Sequence, residues 1–378
     1  MKVTDSGPEW GANKKIINQT SGENGINEKQ RQEEPGSSPA YNVEISPAAY
    51  LKANQIDIED SSSNMVSEED EANIVECLKS DWLQQAEGVV KERYGLTGDN
   101  SSLKIMLDDG PVPYLAAITY NYDSSGKAED QTMRIAVQSA TPAILPNGGS
   151  EPMFDDRVIT HEMVHVIMGR SMNFASLPNW FKEGTAEFIH GADERVAKNL
   201  ADNGGGVQGA LAVQNAFGDG TDDSWVNDSL HYSAAYTAVR YLHEEIQAAG
   251  HSDGIKELLT YLQSNQTDTL DQALSHVSKY QSVQDFAADF VTNGNGAIFV
   301  HNIDESGELK AAQNGGDTGA IEGAAVDGGP VLTATSVIPD IDAFTETPLK
   351  NVRIVWATES DDELLANNKE ALVEMADK

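Results

Sequence analysis

The run from Val158 to Gly169 constrains this chain more than any other segment. It is apolar on nearly every side, yet it carries His161, Glu162 and His165. Val158, Ile159, Met163, Val164, Val166 and Ile167 surround those three residues, and no Lys, Arg or Asp interrupts the run. A helix that is apolar all round is a buried one, and buried polar side chains need partners. Positions i and i+4 share a helix face, so His161 and His165 can present both imidazoles to one ion. Glu162 points elsewhere but can reach a water on that ion. Zinc held by three protein ligands keeps a fourth position open and lowers the pKa of water there to about 7. The bland alternative is a core helix with two hydrogen-bonded histidines. Asp155 or Asp156 is placed to cap the helix start and Gly169 to end it.

Two histidines leave such a site one ligand short. The segment from Leu177 to Gly191 supplies candidates. Pro178 suits a first helical turn and Gly191 a C-terminal stop. Trp180, Phe181, Thr185, Phe188 and Ile189 form a broad apolar stripe, while Glu183 and Glu187 lie four residues apart on one face. Glu183 is the candidate third ligand, and Gly184 beside it suits a close backbone approach. Glu187, one turn on, can orient a ligand histidine through its second nitrogen. Its alternative role is a solvated helix glutamate paired with Lys182 or Arg195.

H-E-x-x-H followed by a W-x-x-E-G-x-A-E helix resembles the gluzincin metallopeptidases. The resemblance implies that His161, His165 and Glu183 bind Zn2+, that Glu162 is the general base, and that Glu187 matches the glutamate one turn past the ligand. The metzincin pattern is excluded, since it needs Gly at Met168 and His at Ser171. Over roughly residues 40 to 345 the chain is most similar to the peptidase domain of flagellinolysins, although no flagellin-type coiled-coil ends are present. The implied fold is α+β and zincin-like: a small β-sheet subdomain, an active-site helix and an α-helical lower lobe. The implied activity is zinc-dependent hydrolysis of protein or peptide substrates, flagellin or other extracellular proteins among them. Such enzymes add a Tyr or His donor to the developing oxyanion. Tyr232 is the first choice here and His231 the alternative. Tyr236 and Tyr241 read as core or rim aromatics, and His190, His243, His251 and His276 as surface histidines.

The chain has 378 residues and a net charge of −36, which disfavours nucleic acid and anionic membranes as partners and is compatible with Ca2+ binding. Cys77 is the only cysteine, so no intrachain disulfide is possible. No apolar run is long enough to span a bilayer, and the N-terminus lacks a signal-peptide segment. Together with the resemblance, this predicts an extracellular protein exported by a non-classical route, with a cytoplasmic peptidase as the alternative. A non-catalytic metal-binding surface or filament-associated protein is the competing class. Retention of Glu162 argues against it, because a structural ion needs no base.

Periodicity divides the chain into a polar arm (1–40), an N-terminal helix and sheet region (41–157), a metal-binding and helical region (158–293) and a Gly-rich C-terminal region (294–378). Within these, a strand is predicted at Tyr41–Ser46, a polar linker at 53–66 and a helix over Ser67–Tyr94. Strands follow at Leu103–Leu107, Ala116–Tyr122 and Met133–Gln138, with a hairpin turn at Asp123–Lys127 and a Pro/Gly loop at 139–153. The resemblance implies an edge strand that pairs with an extended substrate, either Met133–Gln138 or Ala116–Tyr122 here. Further helices are predicted at Val207–Phe217, Tyr232–Ala249, Ile255–Ser264, Thr269–Val277, Val283–Asn293 and Asp361–Ala376, and short strands at Ala297–Val300 and Val352–Ala357.

Overall fold

The computed structural model describes residues 58–59, 78, 82–99, 101–108, 114–136, 155–321, 351–356 and 373–374. The expected polar arm, the strand at Tyr41–Ser46, the linker at 53–66 and the loop at 139–153 lie outside them.

The described chain is mixed α+β. Its sheet contains β1 (Ile58–Glu59), β2 (Ser102–Asp108), β3 (Ala116–Tyr122), β4 (Ala128–Ala136), β5 (Asn351–Trp356) and β6 (Val373–Glu374), in the order β1-β5-β2-β4-β3-β6. β2 runs parallel to both β4 and β5, whereas β3 is antiparallel to β4 and β6. β4 begins five residues before the predicted start, and turn chemistry explains why. The Asp123 carboxylate accepts from the Ser125 and Lys127 amides at 2.8 and 2.9 Å, closing a tight turn. Pairing therefore starts at once, with Tyr122 opposite Ala128. A bulge follows where Asp130 takes a left-handed φ of 53°. Because β4 sits between β2 and β3, it is not an edge. β3 is covered by β6 only at Ala117 and Ile118 among the described residues.

Eleven α-helices are described: α1 (Leu83–Tyr94), α2 (Asp155–Ser171), α3 (Asn179–Phe188), α4 (Asp193–Asp202), α5 (Gly206–Ala216), α6 (Ser229–Ala248), α7 (Ile255–Ser264), α8 (Leu270–Val277), α9 (Val283–Ala287), α10 (Asn295–Ser306) and α11 (Glu308–Ala312). α1 and α2 pack together and α2 lies against β3 and β4, so the metal-pattern helix is wedged between the sheet and the helical part. α1 ends where predicted, at Tyr94, because Gly95 adopts φ 68° and returns its amide to Lys91. α6 starts earlier than predicted, because the Asp228 carboxylate caps the amides of Leu230 and His231. Thr269 and Gln272 form a reciprocal capping box at α8. α9 continues into a π-helical turn at Ala288–Thr292, which together fill the predicted helix Val283–Asn293.

Three expectations are corrected. Ala297–Val300 is not a strand but part of α10, where Gly296, Ala297, Phe299, Val300 and Ile303 make a helical buried stripe. So short an apolar run reads either way by pattern alone. Val373 and Glu374, predicted helical, are extended and paired with Ile118 and Ala117, so edge pairing overrides local preference. The remainder of Asp361–Ala376 lies outside the described residues. Finally, α2 does not stop at Gly169 but runs to Ser171. A Cβ at Gly169 would meet Gln131 Nε2 at 2.7 Å and the Ala128 Cβ at 2.8 Å. This glycine therefore lets β4 approach the helix rather than ending it. α4 and α11 had no counterpart in the sequence reading.

Candidate metal centre

α2 carries His161, Glu162 and His165, α3 carries Glu183 and Glu187, and both helices are buried at these positions. Asp155 and Asp156 lie in the first turn of α2, where Asp156 accepts the Arg157 amide at 2.8 Å. α3 is fixed from two sides. The Tyr94 hydroxyl of α1 donates to the Thr185 carbonyl at 2.6 Å. On the other side Gly184 meets α6 so closely that a Cβ would lie 2.3 Å from the Ala235 carbonyl oxygen, which accounts for a glycine beside Glu183. Gly191, at φ 76°, closes the far end by returning its amide to the Glu187 carbonyl at 2.8 Å.

These constraints bring three ligand atoms together. His161 Nε2 lies 3.1 Å from His165 Nε2 and 3.2 Å from Glu183 Oε2, and the third side, His165 Nε2 to Glu183 Oε2, is 3.4 Å. Ligands bound at about 2.0–2.1 Å in a tetrahedron stand about 3.3 Å apart, so the triangle has the size of one tetrahedral face. Glu183 alone of the three keeps any exposure, 4% of its side chain. The buried His161–His165–Glu183 cluster can hold a metal ion.

The chain matches no protein family, no curated protein and no solved structure with which it was compared. A functional reading must therefore stand on these side chains.

Glu162 is fully buried, and neither of its carboxylate oxygens has a hydrogen-bond partner. Burial pushes its carboxyl up to about 8, opposed by His161 and reinforced by the Glu183 and Glu187 charges. Burial disfavours charge on His161, yet Glu183 and Glu187 outweigh it and raise the imidazole to about 10. Both displacements have one origin: three carboxylates share a dry space that is short of positive charge. A bound cation would relieve it.

Glu187 is not a solvated helix residue. It is fully buried, its Oε1 lies 3.3 Å from His161 Nδ1, and Arg195 Nη1 of α4 lies 2.9 Å from its Oε2. Burial opposes its ionisation, but Arg195 and His161 hold its carboxyl well below the usual range. Arg195, one of the two partners suggested by sequence, is thus the pairing partner.

Tyr232 and His231 start α6 but face differently. The Tyr232 hydroxyl is buried without a partner, its ring packs on Trp225 at 5.4 Å, and the Arg195 guanidinium covers its face. Burial raises this phenol well above its ordinary value, and the charges of Glu183 and Glu187 add to the rise. His231 Nδ1 instead lies 2.8 Å from the capping carboxylate of Asp228. Tyr236 is core: its hydroxyl sits 2.8 Å from both Asp193 Oδ1 and the Gly319 carbonyl. Tyr241 is also buried, with its hydroxyl donating to Asp289 at 2.9 Å.

Two histidines read as surface residues are buried, His190 completely and His243 at 1% exposure. The His190 ring lies against Arg157 and His161, and segment 317–321 bonds to the backbone here. The Thr318 hydroxyl donates to the His190 carbonyl at 2.7 Å and the Ile321 amide to Phe188 at 2.9 Å. His243 accepts the Ile255 amide at 3.2 Å and packs on Phe188. His276 is exposed and His251 half-buried, in line with the sequence reading.

Proposed function

We propose that this chain is a zinc-dependent endopeptidase of the gluzincin type, with a zincin-like arrangement of α2 against the sheet and α3 against α2 and α6. One observation carries the reading. A His161–His165–Glu183 triangle of tetrahedral dimensions is accompanied by a buried Glu162 that has no partner of its own. A closed structural zinc site uses four protein ligands and needs no unpaired carboxylate beside it.

Zinc in this site would supply Lewis acidity, lowering the pKa of water in its open position and polarising a substrate carbonyl. The chain's own residues do the rest. Glu162 accepts a proton from water as the water oxygen bonds to the scissile carbonyl carbon. It returns that proton to the amide nitrogen as the C–N bond breaks, leaving a carboxylic acid and an amine. Tyr232 donates its unpartnered hydroxyl to the oxyanion that develops on the carbonyl oxygen. Glu187 Oε1, 3.3 Å from His161 Nδ1, is placed to take that proton and so keep the lone pair of Nε2 turned toward the ion, and Arg195 lies 2.9 Å from the other Glu187 oxygen.

Metal analysis of the pure protein, paired with cleavage of an unfolded protein with and without chelator, tests this reading. About one zinc per chain and chelator-sensitive cleavage are expected. Zinc without any cleavage would reduce the protein to a metal-binding one.

A further inference from the structure

His161, Glu187 and His190 form a second trio of buried ligand-type atoms, all within 4.8 Å of one another. It has the composition of another cation site, but its charges oppose that role. Arg157 Nε and Nη2 lie 3.3 and 3.2 Å from His190 Nδ1, and Arg195 lies 2.9 Å from Glu187. Two guanidiniums already touch the trio, and a further cation there would face both.

The same contacts assign the trio a different task. A guanidinium donates only, and it stays charged at any relevant pH. With both Arg157 nitrogens aimed at it, Nδ1 of His190 is the ring nitrogen that bears the lone pair. The Gly191 carbonyl, 2.7 Å from the same Nδ1, is satisfied by Arg157 Nη2 at 2.5 Å. The ring proton then resides on Nε2, which is buried without a hydrogen-bond partner in the trio it shares with Glu187. The lone pair thus faces Arg157, while Nε2 and both Glu187 oxygens, neighbours in the trio, are buried without hydrogen-bond partners. Arg157 is held in turn by Glu194 at 2.6 Å.

We propose that His190 is a positioning residue of the metal centre. It stands between Arg157 and the Glu187 carboxylate, and its Nε2–H steadies that carboxylate and so the tautomer and orientation of the ligand His161. This rests on the metal-site part of the proposed function and not on hydrolysis. His190 lies two residues past the end of α3, whose Glu183 and Glu187 recur at i and i+4 on the face turned to α2. The C-terminal turn of α3 is held there by segment 317–321.

Two measurements test the proposal, and neither depends on cleavage. First, NMR of nitrogen-isotope-labelled histidine in the wild-type protein reads the His190 tautomer directly. The Nε2–H form is expected, and the Nδ1–H form would overturn the assignment. Second, zinc affinity is measured by chelator competition for His190→Phe and His190→Gln, with the cobalt(II) absorption spectrum as a report on ligand geometry. Loss of a partner of this kind typically weakens metal binding by about 10- to 100-fold, and that loss is expected for His190→Phe. His190→Gln places an amide donor near the position of Nε2 and should restore wild-type affinity and spectrum. Wild-type affinity in His190→Phe, or no rescue by His190→Gln, would refute the role. If the phenylalanine variant does not fold, the tautomer measurement decides. Inactivity of zinc-loaded wild-type protein would end the peptidase reading while leaving both tests intact.

Discussion

Gly184→Ala should damage the metal site without touching a ligand. A Cβ at this position would lie 2.3 Å from the Ala235 carbonyl oxygen and 2.6 Å from Val239 Cγ2. The carbonyl belongs to the middle of α6 and cannot swing aside, so α3 must retreat by about 1 Å to reach ordinary contact distance. Helix propensity favours alanine over glycine by about 1 kcal/mol, whereas overpacking of this kind costs about 1–3 kcal/mol. The net loss of stability is therefore about 0–2 kcal/mol, too small a span to decide the matter alone. The metal decides it, because Glu183 is the next residue and moves with the helix. A ligand site tolerates displacements of only about 0.2 Å, so zinc affinity should fall by at least about tenfold. Urea unfolding of the metal-free variant gives the stability, and chelator competition gives the affinity. Wild-type zinc affinity in Gly184→Ala would refute both the packing argument and the role of Glu183.

Three further outcomes are expected. Glu183→Ala should lose most of its zinc under conditions where the wild type keeps it, and full occupancy by metal analysis would remove Glu183 from the ligand set. Tyr232→Phe should lower kcat by about 100- to 1,000-fold with KM little changed; the same effect from His231→Ala and none from Tyr232→Phe would transfer the role to the neighbouring residue. Burial opposes ionisation of Asp289, but donors from Tyr280, Tyr241 and Lys279 hold its carboxyl down at about 2. A depressed pKa contributes stability that is fully present above the ordinary aspartate value of 3.8 and is lost as pH falls toward 2. Asp289→Asn should accordingly be less stable at neutral pH and show a flatter urea midpoint between about pH 4 and 2. An unchanged acid profile would contradict the network.

The metal pattern was legible because its information is local. Two histidines one turn apart in an apolar run, and two glutamates one turn apart in the next, define faces that a helix must present. Gly184 was legible for the same reason, as a glycine where a side chain would be expected. His190 was not, because its ring is buried against Arg157 and His161 of the neighbouring helix α2, which the local pattern around it does not announce. Next to Gly191, at the end of a helix, it had the local marks of a surface residue. Gly169 misled by the converse route: its local signal is a helix stop, while its role is to admit Ala128 and Gln131. The early start of β4 depended on hydrogen bonds from the Asp123 turn, which override the polar composition of residues 128–132. The segment Ala297–Val300 carried no periodicity long enough to separate strand from helix.

The central claim is that a metal-binding triangle and an unpartnered glutamate act together on a peptide bond. Glu162→Gln tests it most directly, because the substitution preserves size and leaves all three ligands in place. Zinc content and cleavage of an unfolded protein should be measured on the same preparation of wild type and variant. The account predicts full zinc occupancy in Glu162→Gln with cleavage reduced by several orders of magnitude, since base and metal act as a unit. Cleavage within about tenfold of wild type at equal zinc content would contradict it.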